Sequence, residues 1–540
     1  MRSVRTLLTF AFLLLLTSSA LSAEAGMVVA AQKSAAEAGV EMLKKGGNAF
    51  DAAAATALAL GVVEPGSSGI GGGGFFLLYI AKEKRYVMLD ARETSPGLAG
   101  KGEVYATQSS VDGPQSAGVP GLAAGVDHLV SRYGKLSRKA ITRPAIDLAR
   151  DGFEVGPRLR SMLNWRGKVF NETGRNIFIS GQQIKQEALA DTLARFAKGG
   201  SEEFYRGETA GRLIADMKRD GGLIREADMA AYRVIERTPV TFDYKNYRVI
   251  SAPLPSSGGM TLAHVFGQLK NDDLKAMERT DRVHLLVEAM KRAYLDRNAH
   301  MGDSDFVDIP DLLNADRLQQ LRVGIRMDRA TPSSELGSTT DAIGPGTDTT
   351  HFSVIDSEGN MVSATLSINY AFGSGYVSPS TGILMNDEMD DFATRPGKPN
   401  AYGLVQSSAN AVAPGKRMLS SMTPTFVIGP DRTFIVGTPG GSRIISMVLL
   451  ASLGFMLDES APADWVNAPR YHHQFLPDVI QHEQGAFTAE LTSELQSRGH
   501  IFKPMNRQYG NMHAIVLDRK SGQLTGLTDA RGEGVSITEK

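Results

Sequence analysis

The sequence predicts a mixed protein in which helices and short strands alternate along one long chain. Three observations point to it. Capped amphipathic stretches recur from the N-terminal end, apolar runs leave Gly-rich turns as strands, and one alternating segment folds back on itself as a hairpin. At 540 residues the chain can hold two or three average domains or one large α/β body.

In chain order, Ser34 to Lys45 and Asn48 to Leu60 read as helices, separated by the Gly46-Gly47 stop and capped afresh by Asn48. "GIGGGGFFLLYI" runs from a Gly-rich turn into an apolar strand, and "RYVMLDARETSP" supplies the next one. Glu187 to Lys198, Thr209 to Arg219 and Arg282 to Asn298 carry helical periodicity, with Val240 to Ile250 strand-like between them. "DTTHFSVIDSEGNMVSATLSIN", Asp348 to Asn369, alternates, turns at Asp356 to Asn360 and resumes the alternation from Met361. Ser442 to Leu453 reads as a further helix after Gly440-Gly441.

Composition excludes several classes. Hydrophobic residues make up 42% and charged residues 22%, so the chain can build a large core. A formal net charge of -1 and the lack of a long basic run leave no footprint for nucleic acid. There are no cysteines, which removes disulfides, thiol catalysis and zinc-thiolate sites. "NDEMDDF" lacks the spaced ligands of a calcium loop, "GGGG" at Gly71 to Gly74 lacks the Lys-Ser/Thr of a phosphate loop, and His472 and His473 cannot share a strand face. No metal or cofactor is expected. The tetraglycine reads as a tight backbone passage, and the two histidines as packing or surface groups.

The N-terminus reads as an export signal. Arg2 and Arg5 precede the apolar run Leu7 to Leu16, and small residues follow, with cleavage after Ala20, Ala23 or Ala25. The run is short for a bilayer span, so an uncleaved anchor is the weaker reading and no stable membrane association is expected. A periplasmic or secreted protein is expected.

Met327 to Thr347 is rich in Ser, Thr, Gly and Pro and reads as a mobile connector. It is either a linker between domains or a segment that is cut. A cut would leave a threonine at a new N-terminus, where its own α-amine, with a pKa near 8, can serve as the base its weak hydroxyl needs. The alternation alone does not choose between Thr349 and Thr350.

"DTTHFSVIDSEGN", "GILMNDEMDDF", "KRMLSSMTPT" and "GTPGGSRII", in this order, resemble the γ-glutamyltransferases, which are N-terminal nucleophile hydrolases made as one precursor and cut into two subunits. "GMVVAAQKSAAEAGVEMLKKGGNAFDAA", "GGGGFFLLY" and "DARETSP" extend the resemblance over nearly all of the mature chain. It implies an α+β fold, a four-layer αββα sandwich built from both pieces. The implied organisation is a signal at 1–25, a large subunit at 26–348 with the connector at 327–348, and a small subunit at 349–540, the two forming a heterodimer.

The resemblance also assigns residues. The cut falls at Asp348–Thr349 and the nucleophile on Thr349. The second hydroxyl falls on Ser367, where threonine is common in the family; serine keeps the donor and acceptor but loses the methyl that holds the rotamer. Gly440 and Gly441 become the oxyanion hole, though a Gly-Gly before a helix is by itself more often structural. Arg92, with Ser420 and Ser421, is assigned to the substrate's α-carboxylate, while Glu388, Asp391 and Asn369 are assigned to its α-ammonium at the other end of the clamp. "RPGKPNAYGLV", Arg395 to Val405, matches a lid loop with Tyr402 as its gating aromatic.

The function so implied is hydrolysis of glutathione and other γ-glutamyl compounds, or transfer of the γ-glutamyl group to an amino acid or dipeptide, without a cofactor. Two rivals remain. A cephalosporin or glutaryl acylase would use the same nucleophile on a substrate without the α-amine, and a catalytically silent relative would bind amino acids with an intact chain.

Overall fold

The computed structural model describes residues 23–179, 181–337, 349–394 and 407–539. Two antiparallel sheets lie face to face between helical layers. The first has seven strands in the order Val535–Thr538, Met27–Ala30, Thr350–Ile355, Met361–Ser367, Gly73–Ile80, Arg85–Ala91 and Ile235–Arg237. The second has six, in the order Leu524–Thr528, His513–Asp518, Arg432–Val436, Thr425–Ile428, Tyr247–Ser251 and Val240–Tyr244. Each sheet takes strands from both sides of Thr349, so neither piece of the chain could form the core alone.

Period-two alternation sorts the side chains of the first sheet. Phe76, Leu78, Phe352 and Val354 face the helices Lys33–Lys44, Ala49–Val63, Leu122–His128, Arg138–Asp151 and Glu187–Arg206. Phe75, Leu77, Val29 and Ile355 face the second sheet, whose core continues to the helices Gly258–Gln268, Arg279–His300 and Ile444–Leu457. This is the αββα sandwich expected above. The helix Ala49–Val63 is sunk against the first sheet because its run of alanines lets it approach closely, and nearly every residue in it is buried. Asn48 starts it with a reciprocal capping box: its side chain accepts the Phe50 and Asp51 N–H groups, and Asp51 accepts the Asn48 N–H at 2.9 Å.

The hydroxylated face of the hairpin turns inward, between the sheets. His351 contacts Thr365 at 2.9 Å, Ser353 donates to the His513 carbonyl, and Ser363 donates to the Val436 carbonyl. Burial, with His513 nearby, holds His351 well below its ordinary pKa and hence neutral. A hydrogen-bonded polar seam therefore leads through the apolar core to the mouth of the hairpin.

Three expectations shift. Val240 to Ile250 is two strands, Val240–Tyr244 and Tyr247–Ser251, joined by a turn in which Lys245 has φ 52°. The helix placed at Ser442 begins as a 3₁₀ turn, Gly441–Arg443, and continues as Ile444–Leu457. The first part of the connector is packed: Thr331 and Ser333 are buried, Lys291 donates to the Thr331 carbonyl at 2.6 Å, and Ser333–Leu336 is a helical turn. Composition pointed to a loop, but these bonds come from partners distant in sequence. Residues 338–348 of the expected connector and 1–22 of the expected signal lie outside the described residues.

Candidate active site

The hairpin pairs Leu366 with Thr350, which sets Thr349 beside Ser367 at the open end. The two hydroxyl oxygens are 3.3 Å apart. Ser367 Oγ accepts the Asn369 N–H at 2.8 Å and keeps both a proton and a second lone pair, so either hydroxyl of the Thr349–Ser367 pair can donate to the other. Asn369 holds a left-handed backbone, φ 72°, and its side chain donates to the Asp387 carbonyl at 3.0 Å. A non-glycine residue in that region is strained and persists where the surroundings fix it. Thr350 points the other way and donates to Glu64 at 2.6 Å. The structure thus separates two threonines that sequence alternation could not rank.

The tetraglycine explains how Ser367 is reached. A Cβ on Gly72 would lie 2.3 Å from the Ser367 carbonyl oxygen, and one on Gly71 would lie 2.1 Å from that of Leu384. Only glycine lets these backbones pass. The segment is the close backbone passage expected from the sequence.

Arg92 is 1% exposed at the end of the strand Arg85–Ala91, and the 3₁₀ turn Glu388–Asp391 packs on it. Residues three apart eclipse in such a turn, so Glu388 and Asp391 present their carboxylates together. Glu388 accepts from Arg92 Nη1 at 2.6 Å, Asp391 accepts from Nη2, and Glu93 lies 3.6 Å from Nη1. Burial works against the Arg92 charge, but Glu388, Asp391 and Glu93 outweigh it and hold the guanidinium above its ordinary pKa. Three carboxyls crowd one cation. Burial therefore pushes Glu93 up to about 7 and Glu388 well above the carboxylate range, against the pull of Arg92.

The expected clamp changes accordingly. Arg92 and the acids are in direct contact and do not stand at opposite ends of a substrate. The reason is geometric, since an α-carboxylate and an α-ammonium hang from the same carbon. Asp391 lines the pocket with Arg92, whereas Glu388 does not reach the pocket wall. It supports the arginine from behind.

Ser420 and Ser421 line the same pocket, together with Thr349, Ser367, Asn369, Arg297, Gly441 and Ser442. The loop at Leu254 to Gly258 holds the serine pair. Ser420 N–H donates to the Pro255 carbonyl at 2.8 Å, and Ser257 N–H donates to the Ser420 carbonyl at 2.9 Å. Neither this loop nor Arg297 was picked out by the sequence reading; "PLPSSGG", a serine pair between prolines and glycines, was the available signal. The cavity is about 30 Å³ in this single chain, room for about one water.

Gly440 and Gly441 adopt φ 146° and 60°, and their N–H groups have no hydrogen-bond partner among the described residues. Gly441 lines the pocket, and Gly440 precedes it in the chain. Two unpaired N–H groups ahead of a helix can receive a developing oxyanion. His472 and His473 are buried and do not line the pocket, held by Ser446 and Gln474 and by Asp478 respectively. Asp348, Tyr402 and the lid segment 395–405 lie outside the described residues. Among the described residues no helix is long and apolar enough to cross a membrane.

Comparison with known proteins places the chain in a family. The family model described as gamma-glutamyltranspeptidase matches residues 35–538. The glutathione hydrolase proenzyme of Escherichia coli (strain K12) is 38% identical over 530 residues, covering 94% of this chain and 91% of that protein. The crystal structure of a cephalosporin acylase from Bacillus halodurans superposes with a TM-score of 0.83 at 28% identity, covering 96% of both chains. A chain of Helicobacter pylori gamma-glutamyltranspeptidase gives a TM-score of 0.54 at 35% identity, covering 56% of this chain and 93% of that one.

Proposed function

The chain belongs to the gamma-glutamyltranspeptidase family and is an enzyme of the N-terminal nucleophile kind, and from that premise we propose how its residues divide the reaction. The carrying observation is the convergence of Thr349, Ser367, Gly441 and the Arg92–Asp391 pair on one pocket. The chain is a γ-glutamyl hydrolase and transferase that acts on glutathione and related compounds.

Thr349 is the nucleophile in this reading. Its hydroxyl first attacks the Asp348 carbonyl, and the resulting ester is opened by water to give the pieces 26–348 and 349–540, which stay together as a heterodimer. The freed Thr349 amine then accepts the hydroxyl proton as Oγ1 attacks the γ-carbonyl of the substrate. The oxyanion that forms faces the Gly440 and Gly441 N–H groups, and the Ser367 hydroxyl donates to Thr349 Oγ1. Collapse expels the leaving amine, which takes the proton from the Thr349 amine, and leaves a γ-glutamyl ester on Thr349. Water, or the amine of an amino acid or dipeptide, then takes the acyl group. Arg92 with Ser420 and Ser421 receives the α-carboxylate, and Asp391 with Asn369 receives the α-ammonium.

Export to the periplasm or medium is part of the proposal. Its support is the N-terminal pattern of Arg2, Arg5 and Leu7 to Leu16, together with the first strand's start at Met27, just beyond the last cleavage position. The N-terminal sequence of the large piece tests it: a start at residues 21–26 fits, and a retained Met1 does not.

The similarity to a cephalosporin acylase favours one alternative, an acylase for substrates without an α-amine. The carboxylate of Asp391 on the pocket wall argues for the amine. Turnover of γ-glutamyl 4-nitroanilide beside glutaryl 4-nitroanilide decides. The γ-glutamyl compound is the better substrate here, and a preference for glutaryl would favour the acylase.

A further inference from the structure

Arg297 stands out among the buried cations of its helix, Arg279–His300. Lys291 pairs with Glu288 at 3.2 Å and Asp478 at 3.0 Å, and Arg292 pairs with Glu288 at 2.7 Å. Arg297 is 1% exposed and lines the active-site pocket, yet no carboxylate lies within ion-pair distance of it among the described residues. Its donors go to neutral oxygens: Nε to Ser257 Oγ at 3.0 Å, Nη1 to Asn298 Oδ1 at 3.1 Å and Nη2 to Ser421 Oγ at 3.1 Å. A buried charge without a counterion is held at a large desolvation cost. Burial lowers its pKa, opposed by Tyr294 and Asp391 at longer range. Arg92, by contrast, is already matched by Glu388 and Asp391.

The bonds around Arg297 also fix a direction. Ser257 gives its hydroxyl proton to the Ser420 carbonyl at 2.7 Å, so its lone pair is what receives Arg297 Nε. Ser421 Oγ accepts from Arg297 Nη2, so its own proton is turned away from the guanidinium. No acceptor for that proton is found among the described residues, and Ser421 lines the pocket.

We propose that Arg297 is a positioning residue for the γ-glutamyl substrate: it aims the Ser421 hydroxyl at the α-carboxylate and supplies the unneutralised positive charge that this carboxylate meets. The inference rests on the γ-glutamyl reading above and deepens it. In this account the substrate's ammonium approaches Asp391, Arg92 bridges between acid and carboxylate, and Arg297 supplies the second cation.

Calorimetry on the purified, processed protein tests it with two ligands, L-glutamate and 4-aminobutyrate. The second keeps the ammonium and the chain but lacks the α-carboxylate. Arg297→Lys should weaken glutamate binding about tenfold, the scale of one charge-assisted hydrogen bond. Arg297→Met should weaken it further, and neither should change 4-aminobutyrate binding more than about twofold. With γ-glutamyl 4-nitroanilide, Arg297→Lys should raise KM by a similar factor with kcat within about threefold of wild type. Equal losses for both ligands, or unchanged glutamate binding in Arg297→Lys, would overturn the proposal. So would a wild type that binds glutamate no better than 4-aminobutyrate. If Arg297→Met fails to mature, Arg297→Lys alone decides. A wild type that binds glutamate with this discrimination but does not turn over the anilide counts against the γ-glutamyl reading and leaves the Arg297 assignment standing.

Discussion

Ser367 Oγ lies 3.3 Å from Thr349 Oγ1 and holds the Asn369 N–H at 2.8 Å, so one hydroxyl links the proposed nucleophile to a turn with a left-handed residue. In the proposed reaction the Ser367 hydroxyl donates to the threonine oxygen, where charge develops during attack and later during release. Ser367→Ala removes that donor at little cost in volume. Both self-cleavage and turnover should slow by roughly ten- to a hundredfold, with Tm lowered modestly because the buried Asn369 N–H loses its acceptor. A time course of chain cleavage alongside kcat checks this. A fall in only one of the two would mean that the hydroxyl serves a single step.

Arg92 carries a second expectation. Arg92→Lys keeps the charge but cannot reach Glu388 and Asp391 with one planar fork. KM for γ-glutamyl 4-nitroanilide should rise tenfold or more while the chain still cuts itself. Arg92→Met strands two acids and should lower stability by about 3–5 kcal/mol, the scale of a broken buried pair. Steady-state kinetics and thermal unfolding measure the two effects. Unchanged KM in Arg92→Lys would remove Arg92 from the substrate site.

Asp391 separates the ammonium from the rest of the substrate. Asp391→Asn keeps size and some hydrogen bonding while removing the charge beside the pocket. Turnover of γ-glutamyl 4-nitroanilide should fall further than turnover of the glutaryl analogue, which has no ammonium to place. Equal losses would assign Asp391 to holding Arg92 alone.

Glu93 gives a pH signature. Burial raises its folded pKa to about 7, while an unfolded glutamate titrates near 4.3. Between these values the folded chain holds a proton that the unfolded chain releases, so this group lowers stability as pH rises through the window, and the penalty is complete above it. Glu93→Gln removes the titration with little change of shape. Its Tm relative to wild type should therefore be higher at pH 8 than at pH 5. A Tm difference independent of pH would show that Glu93 is ionised throughout.

Much of this was legible along the chain because it is local. Asn48 and the glycines before it mark a helix start, and Asp356 to Asn360 mark the hairpin that carries Thr349. Gly71 to Gly74 were readable as a close passage because glycine runs have few other uses. What the sequence hid is tertiary. Arg297 looks like any helical arginine until the fold places it against Ser421. Glu388 and Asp391 look equivalent until one is found behind Arg92 and the other on the pocket wall. Thr331 and Ser333 sit in loop-like composition, yet Lys291 and Asp478 hold them down.

The central claim is that one hydroxyl, that of Thr349, first cuts the chain and then carries the acyl group. Thr350 donates to Glu64 on the opposite face, so Thr350→Ala should still cut, and Thr349→Ser should cut with some activity left. Thr349→Ala should fold and remain one chain. The most direct measurement is N-terminal sequencing of the smaller piece of the wild-type protein, run beside intact mass of Thr349→Ala. The account predicts a wild-type sequence beginning Thr349-Thr350-His351 and a single uncut chain for the variant. A wild-type piece that begins at Thr350, or a Thr349→Ala chain that still divides at this bond, would contradict it.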